Sequence, residues 1–328
     1  MVHPRNVVAL LGVLFLASAG ADRGVAAAEA GAGFAERGAA NAWSRSIESE
    51  PPPAPGTKPL RFVAGTEAGR WSLLTYNVSG LPKLHMDSEP EANAALISPL
   101  LNHYDVALVQ EDFRYHARLS GRAAHVYRSE PMQRSTGFMP DGLNWFSRFA
   151  FGWVQRVRWD HCNGYAGVHG DCLVDKGFSF AEVELREGLV VDVYNLHAEA
   201  GNTPEDVEVR RQNFRQLAEY MRKRPRRHAA IVAGDTNLNM AIPRDKQTLD
   251  AFLTRSGMRD ACRRFGCGEE RGDRILFRSS RELEIDVLGW WTDPRFVDLE
   301  GAPLSDHAAV GVELSWRVRT EADRVAGR

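Results

Sequence analysis

Carboxylates, carboxamides and imidazoles recur at the ends of apolar runs in this chain. Asn77 closes LLTYN, Glu111 closes VALVQE, His197 closes VVDVYNLH, Asp235 and Asn237 follow AAIVAG, and Asp306–His307 immediately precede AAVGVEL. Runs this apolar and β-branched predict buried strands, and Gly234 lets the chain turn closely before Asp235. Any one of these positions alone is weak. A strand-end His or Glu is commonly solvated, and GDTN serves equally well as an Asx-rich turn. So many strand ends of one chemical kind instead predict a shared cleft. Carboxylate and amide oxygens suit a hard cation such as Mg2+ or Mn2+. Imidazoles that titrate near neutrality suit proton transfer.

The elements that must position these residues alternate between strands and helices. RWSLLTYNVSGLP predicts a strand broken at Gly80 and Pro82, EANAALISPLLNHY a helix, and DVALVQE a second buried strand. GLNWFSRF, FGWVQRVRW, KGFSFAEVEL and LVVDVYNLH predict successive strands, with LREG as a tight turn between the last two. PEDVEVRRQNFRQLAEYMRKR predicts a long helix, with Pro204 near its start, acids in the first turn and bases in the last. TLDAFLTRSG predicts another helix; DRILFR, LEIDVLGWW and HAAVGVEL predict the closing strands. This is an α/β pattern, compatible with one central sheet or with two.

The chain has 328 residues, 44% hydrophobic and 26% charged. Roughly 260 residues remain for one large α/β domain once the front end is set aside. Its formal net charge of −2 shows neither the basic excess of a nucleic-acid binder nor an acidic disordered tail. Arg5, the apolar stretch VVALLGVLFLASAGA and small residues at Ala17, Ala19 and Ala21 predict a signal peptide over 1–21, and hence a secreted or periplasmic protein. Residues 22–59 are expected as a flexible Ala/Gly/Pro-rich linker, 60–317 as the catalytic domain and 318–328 as a C-terminal tail. In an oxidising compartment the sequence-local pairs Cys162–Cys172 and Cys262–Cys267 are expected as disulfides, and their spacing matches no standard zinc site.

LLTYNVSGLP, VQEDF, NLHAEAG, GDTN, DRILFR and LSDHAAV resemble, in this order, the motifs of the endonuclease/exonuclease/phosphatase superfamily. The superfamily includes pancreatic-type deoxyribonucleases, apurinic endonucleases, inositol polyphosphate phosphatases and secreted sphingomyelinases. The resemblance runs over roughly residues 60–316. It implies a four-layer α/β sandwich, two packed mixed sheets flanked by helices, and hydrolysis of a phosphodiester with Mg2+, Mn2+ or another divalent cation. Carried over by position, it makes Glu111 the principal metal ligand, with Asn77 beside it and Asp306 facing the metal. Asp235 and Asn237 would hold the attacking water and an equatorial phosphate oxygen. His307 would be the general base and His197 a donor to the phosphate or leaving oxygen. Asp273 would orient a histidine, with Asp286 as its rival.

CLVDKGFSFAEVEL followed by NLHAEAG is similar to the secreted sphingomyelinase branch, although His-Ala-Glu-Ala-Gly shifts the turn. The expected activity is therefore sphingomyelinase- or phospholipase C-like, in a monomer. The alternatives are an extracellular endonuclease, for which the basic run MRKRPRRH is a candidate DNA contact, and a catalytically silent binding module. Trp290 and Trp291 are expected either to dip into a lipid interface or to place one ring in the core.

Overall fold

The computed structural model describes residues 60–81, 89–133, 135–165, 170–224, 228–267 and 272–326. The expected signal peptide and the whole of the expected linker lie outside these, as do Pro82 and the centre of the basic run MRKRPRRH. The first half comprises β1 (Ala68–Asn77), α1 (Pro90–Leu100), β2 (Val106–Gln110), α2 (His116–Ser120), β3 (Tyr127–Arg128), β4 (Asn144–Ser147), β5 (Gln155–Arg158), β6 (Gly177–Arg186) and β7 (Leu189–His197). Then come α3 (Pro204–Lys223), β8 (Ala229–Asp235), α4 (Pro243–Ser256), β9 (Arg259–Asp260), α5 (Ala261–Phe265), β10 (Asp273–Arg278), β11 (Leu283–Thr292), β12 (Val310–Val318) and α6 (Glu321–Ala326).

Two six-stranded sheets form, in the orders β11-β12-β1-β2-β4-β3 and β5-β6-β7-β8-β10-β9. Both are mixed: β1–β2 and β7–β8 pair in parallel and their neighbours antiparallel. The choice between one sheet and two therefore falls to two. The central strands read as continuous apolar runs because both of their faces are covered. On β1, Trp71 and Leu73 enter the core between the sheets, while Leu74 and Tyr76 pack with Ile97 of α1 and Leu119 of α2. On β8, Ala229, Ile231 and Ala233 face the same central core, while Ala230 and Val232 pack with Phe214 of α3 and Leu249 of α4. Helix, sheet, sheet, helix: four layers.

Local signals explain the helix ends. In α3, Thr203 Oγ1 accepts from Asp206 N (3.2 Å) and Asp206 Oδ2 accepts from Thr203 N (2.8 Å), a capping box ahead of Pro204. Helix α4 begins at Pro243, earlier than TLDAFLTRSG suggested, and stops at Gly257 in the left-handed region. The expected tail contains α6, held by an Arg317–Asp323 bond of 2.6 Å. Both sequence-local cysteine pairs are bridged, with Cα atoms 5.2 and 5.0 Å apart.

Of the two expectations for the tryptophan pair, Trp290 follows the one that places a ring in the core. A register shift between Val287 and Gly289 turns Trp290 into the inter-sheet core, where it is 9% exposed. Trp291 stacks on Tyr104, and its indole N–H donates to the Tyr104 hydroxyl at 2.9 Å. A bulge changes which face a residue occupies, which strict alternation cannot anticipate.

Toward one rim, the inter-sheet face changes chemistry strand by strand. Trp71 and Leu73 give way to Thr75 and Asn77, Val106 and Leu108 to Gln110, Val191 and Val193 to Asn195 and His197, and Ile231 and Ala233 to Asp235. The first polar layer closes on itself across the two sheets. Gln110 Nε2 donates to Thr75 Oγ1 (3.1 Å) and Asn195 Oδ1 (2.7 Å), and Asn195 Nδ2 to the Val109 carbonyl (3.0 Å). This amide layer, in which Gln110 Oε1 alone has no partner among the described residues, separates the apolar core from the residues beyond it.

Candidate active site

Beyond the amide layer, Asn77, Glu111, His197, Asp235, Asp273 and His307 converge from both sheets. Asn77 is the hub. Its Nδ2 donates to Glu111 Oε1 (3.0 Å) and Asp235 Oδ2 (3.1 Å), while its Oδ1 accepts from Ser79 N (3.0 Å). Both imidazoles present Nε2 to the same carboxylate oxygen: Asp235 Oδ2 lies 3.3 Å from His197 and 3.7 Å from His307. His197 Nε2 also lies 3.9 Å from Glu111 Oε1. His307 Nδ1 meets Asp273 Oδ2 at 2.9 Å. Asp286, the rival, pairs instead with Arg264 on the surface.

Backbone strain marks the same place. Glu111 has φ +58° and Asn237 φ +49°, conformations that non-glycine residues adopt rarely and at a cost. Gly80 makes the Glu111 turn possible, since a Cβ there would lie 2.3 Å from the Glu111 carbonyl oxygen. Gly234 has φ +148°, and a Cβ on it would meet the Leu196 carbonyl at 2.0 Å, so β8 lies close against β7 only with glycine there. Asn237 donates from Nδ2 to the Ala198 carbonyl (3.0 Å) and from its backbone to Asp235 Oδ1 (3.0 Å). Ser305 Oγ donates to the Asn77 carbonyl at 2.7 Å and accepts from His307 N at 3.1 Å, which ties the SDH turn to β1. Asp306 is exposed at the mouth, and its charge is felt at Glu111 and His307.

The two imidazoles sit in opposite electrostatic states. His197 is fully buried; burial, then the charges of Lys176 and His307, hold it well below its ordinary value. Burial also opposes charge on His307. The hydrogen bond to Asp273 and the carboxylates of Asp235, Asp273 and Asp306 outweigh it and push this imidazole up to about 10. Burial raises Glu111, against the Asn77 bond and the Lys176 charge.

Lys176 and its neighbours escaped the sequence reading. Lys176 is 7% exposed and pairs with Asp171 at 2.8 Å, with its Nζ 3.5 Å from the Ala198 carbonyl. Asp171 also accepts from Ala200 N (2.5 Å), and Glu199 accepts from Asn163 N (2.8 Å). Burial, then the Asp171 charge, pushes Glu199 up to about 8. Asn163 and Asp171 adjoin the disulfide partners Cys162 and Cys172, so this bridge closes the loop that flanks the His197 turn. The signal available was a Lys between buried strand and loop in VDKGF. Two other features lie elsewhere. Glu182, Asp192 and His228 cluster where Arg224 already pairs with Glu182 at 2.6 Å. A groove of about 400 Å³ on the outer face of α3 and α4, lined by Arg211, Arg215 and Arg244, holds none of the convergent residues.

The donor set fits a hard cation. Glu111 receives one amide donor and, among the described residues, no Lys or Arg ion pair, while Asp235 and Asp306 add negative potential around it. The ligand atoms of Asp235, Asp273 and His307 lie within 4.8 Å of one another, although Asp273 is already engaged with His307. Asn77 Nδ2 contacts Glu111 Oε1 directly, and Asp306 is exposed.

These features define a class: a two-sheet α/β sandwich with a carboxylate–imidazole site at one rim. The chain belongs to the endonuclease/exonuclease/phosphatase family, whose model matches residues 74–307. It is similar to a sphingomyelinase of Mycobacterium tuberculosis, 31% identical over 293 residues, which span 80% of this chain and 55% of that one. The chain thus spans about half the length of the curated relative it matches. Its fold is similar to that of Staphylococcus aureus beta toxin crystallised with bound magnesium ions (TM-score 0.55, 17% identity, 75% of this chain and 99% of that one). It is equally similar to D. rerio TDP2 complexed with a single-strand DNA product (TM-score 0.56, 18% identity, 75% and 98%). Among the described residues, no helix is long and apolar enough to cross a membrane.

Proposed function

We propose that this protein is an exported, metal-dependent phosphodiesterase that releases the phosphorylated headgroup of a sphingomyelin-like phospholipid. The observation that carries the hydrolytic reading is the meeting of Asn77, Glu111, His197 and His307 around the single carboxylate of Asp235. A silent binding module has no use for two imidazoles held in opposite protonation states. The lipid reading is supported by 31% identity to a sphingomyelinase across most of this chain. Export rests on the sequence of residues 1–21 and fits the two disulfides.

In this reading Glu111 holds the cation with Asp306 at the open side; Asn77, expected as a ligand, instead turns its Nδ2 to Glu111 with its Oδ1 taken by Ser79 N, and so positions that carboxylate. A divalent ion bound there would supply positive charge to a nonbridging phosphate oxygen and would lower the proton affinity of His307. Asp273 fixes the His307 ring so that Nε2 faces the reacting water, which it deprotonates. His197 and Asn237 approach the phosphate from the adjacent carboxyl ends of the parallel strands β7 and β8, and Asp235 orients the water between the two rings. Lys176 adds positive charge close to His197.

The test is headgroup release from sphingomyelin liposomes, run beside plasmid nicking, with EDTA and with added Mg2+ or Mn2+. Metal-dependent headgroup release at low enzyme concentration is expected. Steeply salt-dependent plasmid degradation without headgroup release would transfer the reading to an endonuclease, the option raised by the likeness to TDP2. No turnover of either substrate or of bis-p-nitrophenyl phosphate would reject the hydrolytic reading.

A further inference from the structure

Arg210 of α3 and Asp245 of α4 form an ion pair with both side chains fully buried. Burying such a pair is expensive, and apolar residues of similar volume commonly serve stability as well or better. What Arg210 touches suggests another reason for it. Its Nη1 donates to three successive carbonyls, Glu199 (3.1 Å), Ala200 (3.2 Å) and Gly201 (2.5 Å), which form the turn directly after His197. Its Nε and Nη2 grip the two carboxylate oxygens of Asp245 at 3.1 and 2.9 Å. Asp245 Oδ2 accepts in turn from Asn239 N at 3.0 Å, in the loop directly after Asp235 and Asn237. The guanidinium fork therefore spans from one strand-end turn to the other, a geometry no ammonium reproduces.

The geometry points to Arg210–Asp245 as a positioning pair for the active site. It sets the spacing between the His197 turn and the Asp235–Asn239 turn, and with it the 3.3 Å approach of His197 Nε2 to Asp235. Neither residue touches the reacting atoms. Contacts at the seam agree with a shared rigid unit: Ala198 N donates to the Asp235 carbonyl (2.9 Å) and Asn237 Nδ2 to the Ala198 carbonyl (3.0 Å). The catalytic consequence rests on the phosphodiesterase reading above; the positional one does not.

The experiment compares wild type with R210K and the apolar double variant R210M/D245L, on the full chain with Mg2+. Melting temperature, kcat and KM on bis-p-nitrophenyl phosphate, and amide exchange of segments 198–201 and 237–240 are measured. The double variant removes the ion pair but also leaves three carbonyls and Asn239 N without their partners, so it should melt below wild type. It should also lose on the order of 10²-fold in kcat with KM little changed, as a small misplacement does. Exchange in both segments should accelerate together. R210K keeps the charge but not the fork, so it should show the same kcat loss and exchange; it decides the matter if the double variant fails to fold. Wild-type kcat and exchange in a folded variant would overturn the inference. If wild type turns over no phosphodiester, the proposed function falls, and the exchange data alone judge the pair.

Discussion

His197 and His307 approach the same oxygen of Asp235 from the two sheets, yet the protein treats them oppositely. His197 ends a parallel strand in the interior, 2% exposed, with no carboxylate on Nδ1 among the described residues and the Lys176 charge close by. His307 sits at the mouth on a turn before β12, half-buried and ringed by Asp235, Asp273 and Asp306. One ring is held neutral and the other charged although their Nε2 atoms share a neighbour. Environment, not residue type, sets the division of labour.

The largest effect expected from breaking that contrast is on the charged side. His307→Ala should cut kcat on the order of 10³-fold, within the range of lost general acid–base catalysis, and should lower the melting temperature in EDTA near neutral pH, because Asp235, Asp273 and Asp306 lose a cationic partner. Near wild-type kcat would remove His307 from the base role. Asp273→Asn should leave the ring but not its orientation. In EDTA, an NMR titration should then find the His307 pKa clearly below the value of about 10 in wild type.

Changes on the buried side should cost both activity and stability. His197→Ala is expected to lower kcat on the order of 10²-fold, and also to leave a cavity in a packed interior that costs about 1–3 kcal/mol. A large kcat loss without any fall in melting temperature would contradict the packing described for His197.

The smallest effect is the pH dependence of stability in the metal-free protein, where the two rings have opposite signs. His307 is raised from 6.5 to about 10. Its stabilisation is complete below 6.5 and is lost as pH rises toward 10. His197 is depressed, so its contribution holds above 6.5 and fades as pH falls, when the unfolded chain takes up a proton that the buried ring refuses. Melting curves in EDTA should therefore flatten on the alkaline side in His307→Gln and on the acid side in His197→Gln. Identical pH profiles for both variants would show that the rings do not differ as described.

Sequence alone marked the strand-end positions that the fold brings together. Apolar β-branched runs ending in Asn77, Glu111, His197 and Asp235 announce their strands, and a polar residue closing each run lies at the strand rim by chain geometry. Ordered motifs fixed the family and the layered fold in the same way. What lay beyond sequence was pairing through space. The choice of Asp273 over Asp286 depends on which strand end faces His307 across the seam between the sheets. Lys176, Glu199, Arg210 and Asp245 read as ordinary solvated charges until folding removes water from around them. Trp290 turned inward because one bulge shifted the alternation. Local periodicity records what each residue contributes to its own strand or helix. Burial and opposing charge depend on segments far apart in sequence, and only the packed sandwich brings those together.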